Sequence, residues 1–217
     1  MALIRPFARG DTNDLYRIAL ATGDSGGDAA PLHDDPRLVG DVYAAPYAAL
    51  SPATAFVAED REGVAGYIVG AIDTRAFEES LERQWWPRLR ARHPDPSAVA
   101  HDAWTPDQRL AWLIHHPWPA RADLIARFPS HLHINLLPRL QGRGMGRRLM
   151  DHWLTLARSM GSPGVHLGVS AANARAIAFY RARGLETPAL AKPPPRGVIW
   201  FVNPFQPIGS GPHQPGR

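Results

Sequence analysis

The chain contains no cysteine, and all but one of its 24 basic residues are arginine. The absence of cysteine excludes disulfides, thiolate metal sites and an acetyl-cysteine intermediate. No stretch approaches the ~20 apolar residues of a membrane-spanning helix. The N-terminal segment has no apolar targeting region, because it is interrupted by Arg5, Pro6, Arg9 and Asp11. We therefore expect a cytoplasmic protein that has no membrane partner.

The net charge is only +4, and the arginines are spread along the chain. A nucleic-acid-binding protein would concentrate them on one face, so we expect no nucleic-acid partner. A chain of 217 residues is long enough for one domain with a substantial core. We predict that residues 1–203 form this single domain and that the Pro- and Gly-rich segment 204–217 is a disordered tail.

A glycine-rich turn follows an apolar strand pattern at 131–137 and leads into an amphipathic helix pattern at 144–160. The start of a helix leaves backbone N–H groups free and attracts anions. Three arginines crowd this positive end of the helix dipole, namely Arg143, Arg147 and Arg148. Each is unfavourable by about 0.3–1 kcal/mol unless an anion compensates it. The turn therefore predicts a phosphate-binding site, although the glycines would equally suit an ordinary tight turn.

Two common nucleotide motifs do not fit this turn. The dinucleotide pattern G-x-G-x-x-G requires a glycine where the chain has Arg147. A Walker A loop requires Gly-Lys followed by Ser or Thr, and the only lysine is Lys192. The phosphate must therefore belong to another kind of ligand.

The run Gln141–Gly146 resembles the Q/R-x-x-G-x-G/A signature of the GNAT acetyltransferase superfamily, which binds the pyrophosphate of acetyl-CoA. A second block, Asn173–Leu185, resembles the family's later N-x-x-A-x-x-F/Y-Y-x-x-x-G-F/L motif. Two motifs in the family's order are more specific than either alone. The segment Phe128–Leu185 also resembles the acetyltransferase-like domain of nucleocytoplasmic O-GlcNAcases.

The resemblance implies an α/β GNAT fold with a central mixed, mostly antiparallel sheet flanked by helices. Helix patterns at 12–21 and 36–50 and strand patterns at 54–59 and 64–72 agree with it. A predicted helical insertion at about 73–130 separates the third strand from the fourth and carries five of the seven tryptophans. It roofs the acceptor site, forms a homodimer interface or packs on the sheet; the sequence leaves all three open.

The resemblance implies that acetyl-CoA is the co-substrate. The expected contact residues are Leu136, Leu137, Pro138, Gln141, Gly142, Arg143, Gly144, Met145, Gly146, Arg147, Asn173, Ala176, Phe179 and Tyr180. Within this set the strand end pairs with the pantetheine amides and the turn surrounds the pyrophosphate. Asn173 is also a good helix N-cap, and Phe179 equally suits helix packing.

Tyr180 is the candidate general acid. It lies two helical turns after Asn173 on the same face, and the family commonly uses a tyrosine at this position. A phenol with a pKa near 10 can give its proton to the CoA thiolate and recover it from solvent. The alternative is a core tyrosine whose hydroxyl is satisfied.

His133 is the candidate general base. It shares one face of the cofactor strand with His131 and Asn135 by alternation. The family often draws its base from this strand, commonly a glutamate, which is absent here. Alternatives are a structural role for both histidines, or a base from the first loop, where Asp24, Asp28 and His33 lie. No metal site is expected, since no third ligand follows the two histidines at useful spacing.

These residues predict an N-acetyltransferase that moves an acetyl group directly to the amine of an unknown acceptor, whether small molecule, peptide or protein lysine. The alternative is an acetyl-CoA-binding module without catalysis. The glycine-rich turn does not separate the two, because both need it.

Overall fold

The computed structural model describes residues 2–190 and 197–205, which form a six-stranded sheet in the order β1 to β6. The strands are β1 Leu3–Pro6, β2 Phe56–Asp60, β3 Gly63–Ala71, β4 Ser130–Leu136, β5 Gly164–Ser170 and β6 Val198–Pro204. Neighbouring strands are antiparallel except β4 and β5, which are parallel. The predicted mixed, mostly antiparallel sheet is confirmed.

Nine α-helices lie in the described part of the chain. They are α1 Thr12–Ala21, α2 Leu38–Tyr43, α3 Ala45–Leu50, α4 Thr74–Ser80, α5 Trp86–Arg90, α6 Pro106–His115, α7 Ala122–Ile125, α8 Met145–Ser159 and α9 Ala174–Ala182. None of these helices has the length and apolarity needed to cross a bilayer.

The helices divide between the two faces of the sheet. On one face, β4 contacts α1 and α3, since Asn135 donates to Thr22 Oγ1 at 2.6 Å and His131 lies 2.9 Å from the Tyr47 hydroxyl. On the other face, a Cβ on Gly70 would lie 2.5 Å from the Trp153 ring of α8, so only glycine admits this indole. We call them the α1–α3 face and the α8–α9 face.

The predicted helix at 36–50 is two helices. The chain breaks at Ala44, whose φ of −136° and ψ of −59° are not helical. Pro46, in the first turn of α3, lacks the N–H that a continuous helix would need there. The break places Tyr47 on α3, directed at β4.

The segment between β3 and β4 contains α4 to α7 and a π-helical turn at Leu81–Trp85. Trp85 and Trp86 are buried, and the Trp85 indole N–H donates to the carbonyl of Asp41 on α2 at 2.8 Å. Trp118, in contrast, is 62% exposed. The insertion therefore packs against α2 and still presents aromatic surface.

The start of the predicted tail is wrong, because Pro204 ends β6 and pairs with Gly164. Phe205 is buried, and its N–H donates to the carbonyl of Pro163 at 2.8 Å. An apolar side chain directly after the strand extends the core beyond the expected boundary. The remainder of the predicted tail, 206–217, lies outside the described residues.

Candidate functional site

The central feature is a cleft between β4 and β5. The two strands pair only at Ser130 with Val165 and at His131 with His166. Beyond this point β4 continues along β3, and β5 continues along β6. The strands therefore diverge, and we call the space between residues 132–136 of β4 and 167–170 of β5 the cleft.

One backbone edge of β4 is open toward the cleft. The Leu137 N–H donates to Ala65 on the β3 side at 2.8 Å, so alternation directs the backbone groups of Ile134 and Leu136 to the opposite edge. The Leu136 carbonyl accepts a hydrogen bond from Gln141 Nε2 at 2.6 Å. The Leu136 N–H is therefore the group of this residue that can pair with a ligand. Pro138 has no N–H to offer. The edge that can pair with an extended ligand thus lies at 134–136, slightly earlier than the predicted 136–138.

The glycine-rich turn lies at the end of β4. Gly142 and Gly144 have φ values of 70° and 77°, which glycine adopts readily. A Cβ on either would meet nothing within 4 Å, so the space beside the turn is open. No backbone N–H from Gly142 to Arg147 makes a hydrogen bond of good geometry within the described residues. This row of free donors at the start of α8 is well suited to a phosphate group.

Unpartnered positive charge surrounds these donors. Arg143 and Arg147 are exposed, and neither makes a hydrogen bond or ion pair with any residue at 2–190 or 197–205. Arg148 instead donates to the Ala2 carbonyl at 3.1 Å. Arg175 of α9 donates to Gln141 Oε1, so the Gln141 amide is fixed at both ends.

The start of α9 meets the first loop. Asn173 Oδ1 accepts from the Ala176 N–H at 3.0 Å, which confirms the predicted N-cap. The loop forms a two-residue turn over 24–27, with positive φ at Ser25 and Gly26, and we call this turn the loop tip. Ser25 Oγ lies 3.0 Å from Ser170 Oγ, and a Cβ on Gly26 would lie 3.2 Å from Asn173 Nδ2. The loop tip therefore borders the β5 side of the cleft.

Tyr180 lies on the α8–α9 face at the narrow end of the cleft. Its ring centroid is 5.6 Å from that of Phe201, which pairs with Leu167, the first β5 residue after the strands separate. The side chain is buried, but its hydroxyl has no hydrogen-bond partner in the described chain. The alternative of a satisfied core hydroxyl is thus not what the structure shows. Burial raises the pKa of Tyr180 to about 12.

His133 lies at the same end of the cleft on the α1–α3 face, two residues after the last β4 residue paired with β5. Its Nε2 is 3.2 Å from the Tyr47 hydroxyl, which is 2.9 Å from His131 Nε2. Burial, with a smaller contribution from His166, lowers the pKa of His133 to about 4. The same causes lower the pKa of His131 well below its usual value. Both rings are therefore neutral at pH 7.

Two of the alternative bases are engaged elsewhere. Asp28 accepts from the Ala30 N–H at 2.9 Å. His33 Nδ1 lies 2.6 Å from Asp107 Oδ1 of the insertion. Asp24 is exposed in the loop tip beside Ser25 and remains a rival to His133.

Sequence reasoning missed Tyr47, Thr74 and the contact of the loop tip with Ser170. Tyr47 and His131 are separated by 84 residues, and Thr74 and His131 by 57. No local pattern marks such pairs. The one available signal is the unusual pair of histidines on an inward face of β4, which requires polar partners from the covering helices.

The model of the acetyltransferase (GNAT) family matches residues 72–185. The crystal structure of SsHAT is 34% identical, with a TM-score of 0.85, and the match covers 94% of this chain and 98% of that one. The structure of yncA from Salmonella typhimurium with its cofactor acetyl-CoA shares the fold at 15% identity and a TM-score of 0.54, covering 99% of each chain.

Among curated proteins, Protein O-GlcNAcase of Rattus norvegicus is 23% identical over 197 residues, and the one of Mus musculus matches equally. The match covers 90% of this chain and 21% of the rat protein. The chain thus spans about a fifth of the length of these relatives.

Proposed function

Because the chain belongs to the acetyltransferase (GNAT) family, we propose that it transfers an acetyl group from acetyl-CoA directly to an amine, with His133 as base and Tyr180 as hydrogen-bond donor to the leaving sulfur. It is an N-acetyltransferase with acetyl-CoA as co-substrate. The acceptor is an amine of a small molecule, a peptide or a protein.

The observation that carries the proposal is the divergence of β4 and β5, with free phosphate donors at the end of β4. The N–H groups of 142–147 suit the pyrophosphate, and the open β4 edge at Ile134 and Leu136 suits the amides of the pantetheine arm. A thioester at the narrow end would lie between His133 and Tyr180. His133 would therefore act on the amine from the α1–α3 face, and Tyr180 would act on the sulfur from the α8–α9 face.

His133 is proposed to take the proton that the amine nitrogen loses as the new N–C bond forms. Its ring is neutral, so it has a lone pair available at pH 7. A pKa of about 4 makes it too weak to deprotonate an ordinary ammonium, whose pKa is about 10 in lysine. The amine must therefore arrive neutral, and His133 acts only when attack makes the nitrogen acidic.

Tyr180 is proposed to act on the sulfur as the C–S bond breaks. Its phenol pKa of about 12 keeps the hydroxyl protonated and ready to donate. An alkyl thiol has a pKa of about 8.5, so complete transfer from this phenol to the thiolate is unfavourable. A hydrogen bond from Tyr180 therefore stabilises the leaving thiolate, and solvent supplies the final proton.

The first test is release of CoA from acetyl-CoA in the presence of a panel of primary amines. A thiol reagent detects CoA without background, because the chain has no cysteine. With an accepted amine, Tyr180→Phe should lower kcat by about 10- to 100-fold, the worth of one hydrogen bond to a charged group. His133→Gln should lower kcat by about 100-fold, the lower range for general base catalysis.

Tyr16→Phe is the matched control, since it removes a buried tyrosine hydroxyl that bonds Asp41, away from the cleft. It should leave kcat within about twofold of the unmodified protein. Full activity in His133→Gln together with loss in Asp24→Asn would move the base to the loop tip. Acetyl-CoA binding without turnover of any amine would favour the non-catalytic module.

A further inference from the structure

A single chain of hydrogen bonds runs from His133 into the protein on the α1–α3 face. It links His133 Nε2 to the Tyr47 hydroxyl at 3.2 Å and the Tyr47 hydroxyl to His131 Nε2 at 2.9 Å. His131 Nδ1 lies 2.7 Å from Thr74 Oγ1, and Thr74 Oγ1 lies 2.6 Å from the Pro129 carbonyl. Two of its members, Tyr47 and Thr74, are buried, so water does not compete readily for their hydroxyls.

The Pro129 carbonyl fixes the direction of this chain. A carbonyl oxygen can only accept, so the one hydroxyl hydrogen of Thr74 is donated to Pro129. Thr74 Oγ1 must then accept from His131, which places a hydrogen on His131 Nδ1. The reverse arrangement would leave two acceptor oxygens 2.6 Å apart with no hydrogen between them.

The donor and acceptor roles at His131 in turn fix those of Tyr47 and His133. His131 is neutral because it is buried, so with a hydrogen on Nδ1 its Nε2 has a lone pair that accepts from the Tyr47 hydroxyl. The Tyr47 hydroxyl has a single hydrogen, and burial raises the pKa of Tyr47, so the hydroxyl keeps that hydrogen. The Tyr47 oxygen must therefore accept from His133 Nε2–H.

His166 does not enter this chain. Its ring centroid lies 5.6 Å from that of His131, but its Nδ1 bonds the Phe128 carbonyl at 2.6 Å. Nothing in the described residues makes a hydrogen bond to His133 Nδ1. Since Nε2 carries the hydrogen, the lone pair of neutral His133 lies on Nδ1.

We propose that Tyr47, His131 and Thr74 are positioning residues that fix His133 in the tautomer with a free lone pair on Nδ1, the atom that receives the proton of the acceptor amine. This rests on the proposed role of His133 as base. Protonation at Nδ1 gives an imidazolium whose Nε2–H still donates to Tyr47, so no bond in the chain has to break. The chain of hydrogen bonds ends at a backbone carbonyl, which accepts a hydrogen bond but does not take up a proton. The hydrogen bonds therefore orient His133 and do not conduct protons away from it.

Thr74→Val tests the proposal from a distance, because Thr74 is separated from His133 by two side chains. Without the Thr74 oxygen, a hydrogen on His131 Nδ1 would be buried and unsatisfied, which costs about 1–3 kcal/mol. His131 should therefore move its hydrogen to Nε2 and donate to Tyr47. Tyr47 would then donate to His133 Nε2, and His133 would carry its hydrogen on Nδ1. The lone pair that the proposed base needs at Nδ1 would be lost.

The measurement is a long-range ¹H–¹⁵N spectrum of histidine-labelled protein at pH 7, with the His133 signals assigned by their loss in His133→Gln. We expect the hydrogen on Nε2 of His133 in the unmodified protein and on Nδ1 in Thr74→Val. The rate constant kcat should fall at least tenfold in Thr74→Val at unchanged KM for acetyl-CoA. Thr74→Ser, which keeps the oxygen, should restore both the spectrum and kcat.

Thr54→Val is the matched control, since Thr54 is an equally buried threonine whose hydroxyl lies 2.6 Å from a backbone carbonyl, that of Gly70. It should lower stability without moving the His133 hydrogen. If Thr74→Val does not fold, Tyr47→Phe serves instead, because it keeps the ring stacked on Phe77 and should loosen His133 and lower kcat.

The outcomes separate the two claims. An unchanged His133 tautomer in a folded Thr74→Val, or a hydrogen on Nδ1 in the unmodified protein, would overturn the positioning chain whatever the rate. Full activity in His133→Gln would overturn the base assignment, and with it the catalytic purpose of the chain, even if the tautomers are as described.

Discussion

His133 and Tyr180 lie at the narrow end of the cleft as neutral groups, the imidazole half-buried and the phenol buried. Neither has a charged partner, so each depends on desolvation and on the geometry of its neighbours. Desolvation keeps the imidazole unprotonated and the phenol protonated, which are the states that the proposed base and the proposed hydrogen-bond donor need before reaction. The same desolvation makes His133 a weak base and Tyr180 a weak acid. The acceptor amine must therefore be neutral before it attacks the thioester.

Burial of neutral histidines predicts a loss of stability in mild acid. The pKa values of His131, His133 and His166 are all lowered by burial, so below pH 6.5 the unfolded chain binds more protons than the folded one. The free energy of unfolding should fall as pH drops from 7 to 5, by up to about 1.4 kcal/mol per pH unit for each histidine. Urea unfolding at pH 7, 6 and 5 measures this slope.

His133→Gln should make that slope shallower by the share of one histidine. His101→Gln, which removes an exposed histidine, is the matched control. Carboxylates with lowered pKa values, such as Asp11, change the free energy of unfolding only below about pH 4, so they do not affect the slope between pH 7 and 5. A free energy of unfolding that is constant from pH 7 to 5 would contradict the burial of these rings.

At the scale of elements, the loop tip brings the α1–α2 connection against the start of α9. Ser25 has a φ of 50°, an uncommon conformation for a residue with a side chain. Its contact with Ser170 lies close to Asn173, which the family resemblance predicts to contact acetyl-CoA. The loop tip therefore joins the α1–α2 connection to the start of α9 beside the cleft.

Gly26→Ala should disturb this coupling. The new Cβ would lie 3.2 Å from Asn173 Nδ2, closer than ordinary contact, so either the loop tip or Asn173 must shift. We expect KM for acetyl-CoA to rise by about 3- to 10-fold, the equivalent of one modest hydrogen bond. Steady-state kinetics with varied acetyl-CoA provides the measurement.

Gly63→Ala is the matched control for this change. Gly63 has a φ of +98°, close to the +95° of Gly26, but a Cβ there would meet nothing within 4 Å. Both variants should lose about 1 kcal/mol of stability from backbone strain. Equal KM values in the two variants would show that the loop tip has no part in cofactor binding.

The elements themselves were largely predictable because their signals are local. The helix at 12–21 and the hairpin of β2 and β3 follow the expected patterns, since periodicity and a turn at 60–63 are visible in the sequence. The divergence of β4 and β5 was not visible, because both strands show ordinary apolar alternation. Nor could local patterns place Tyr47 beside His131, a contact that depends on the helix break at Ala44.

Across the whole molecule, the cleft lies where the antiparallel strands β1 to β4 meet the β5–β6 pair. On the α8–α9 face, α8 packs on β4, and α9 approaches the β5–β6 pair at Phe201. The insertion contacts α2 on the α1–α3 face and carries the exposed Trp118, and it is the largest addition to the predicted fold. The cofactor side instead follows the two motifs that the sequence shows.

The most direct test of the account is calorimetric titration of acetyl-CoA into the unmodified protein, Gly144→Trp and Gly161→Trp. Gly144 and Gly161 have φ values of 77° and 84° and open space around a Cβ, but only Gly144 lies in the glycine-rich turn. We expect micromolar binding to the unmodified protein and to Gly161→Trp, and loss of binding in Gly144→Trp. Absence of binding to the unmodified protein, or equal binding to both variants, would contradict the assignment of the turn and the cleft.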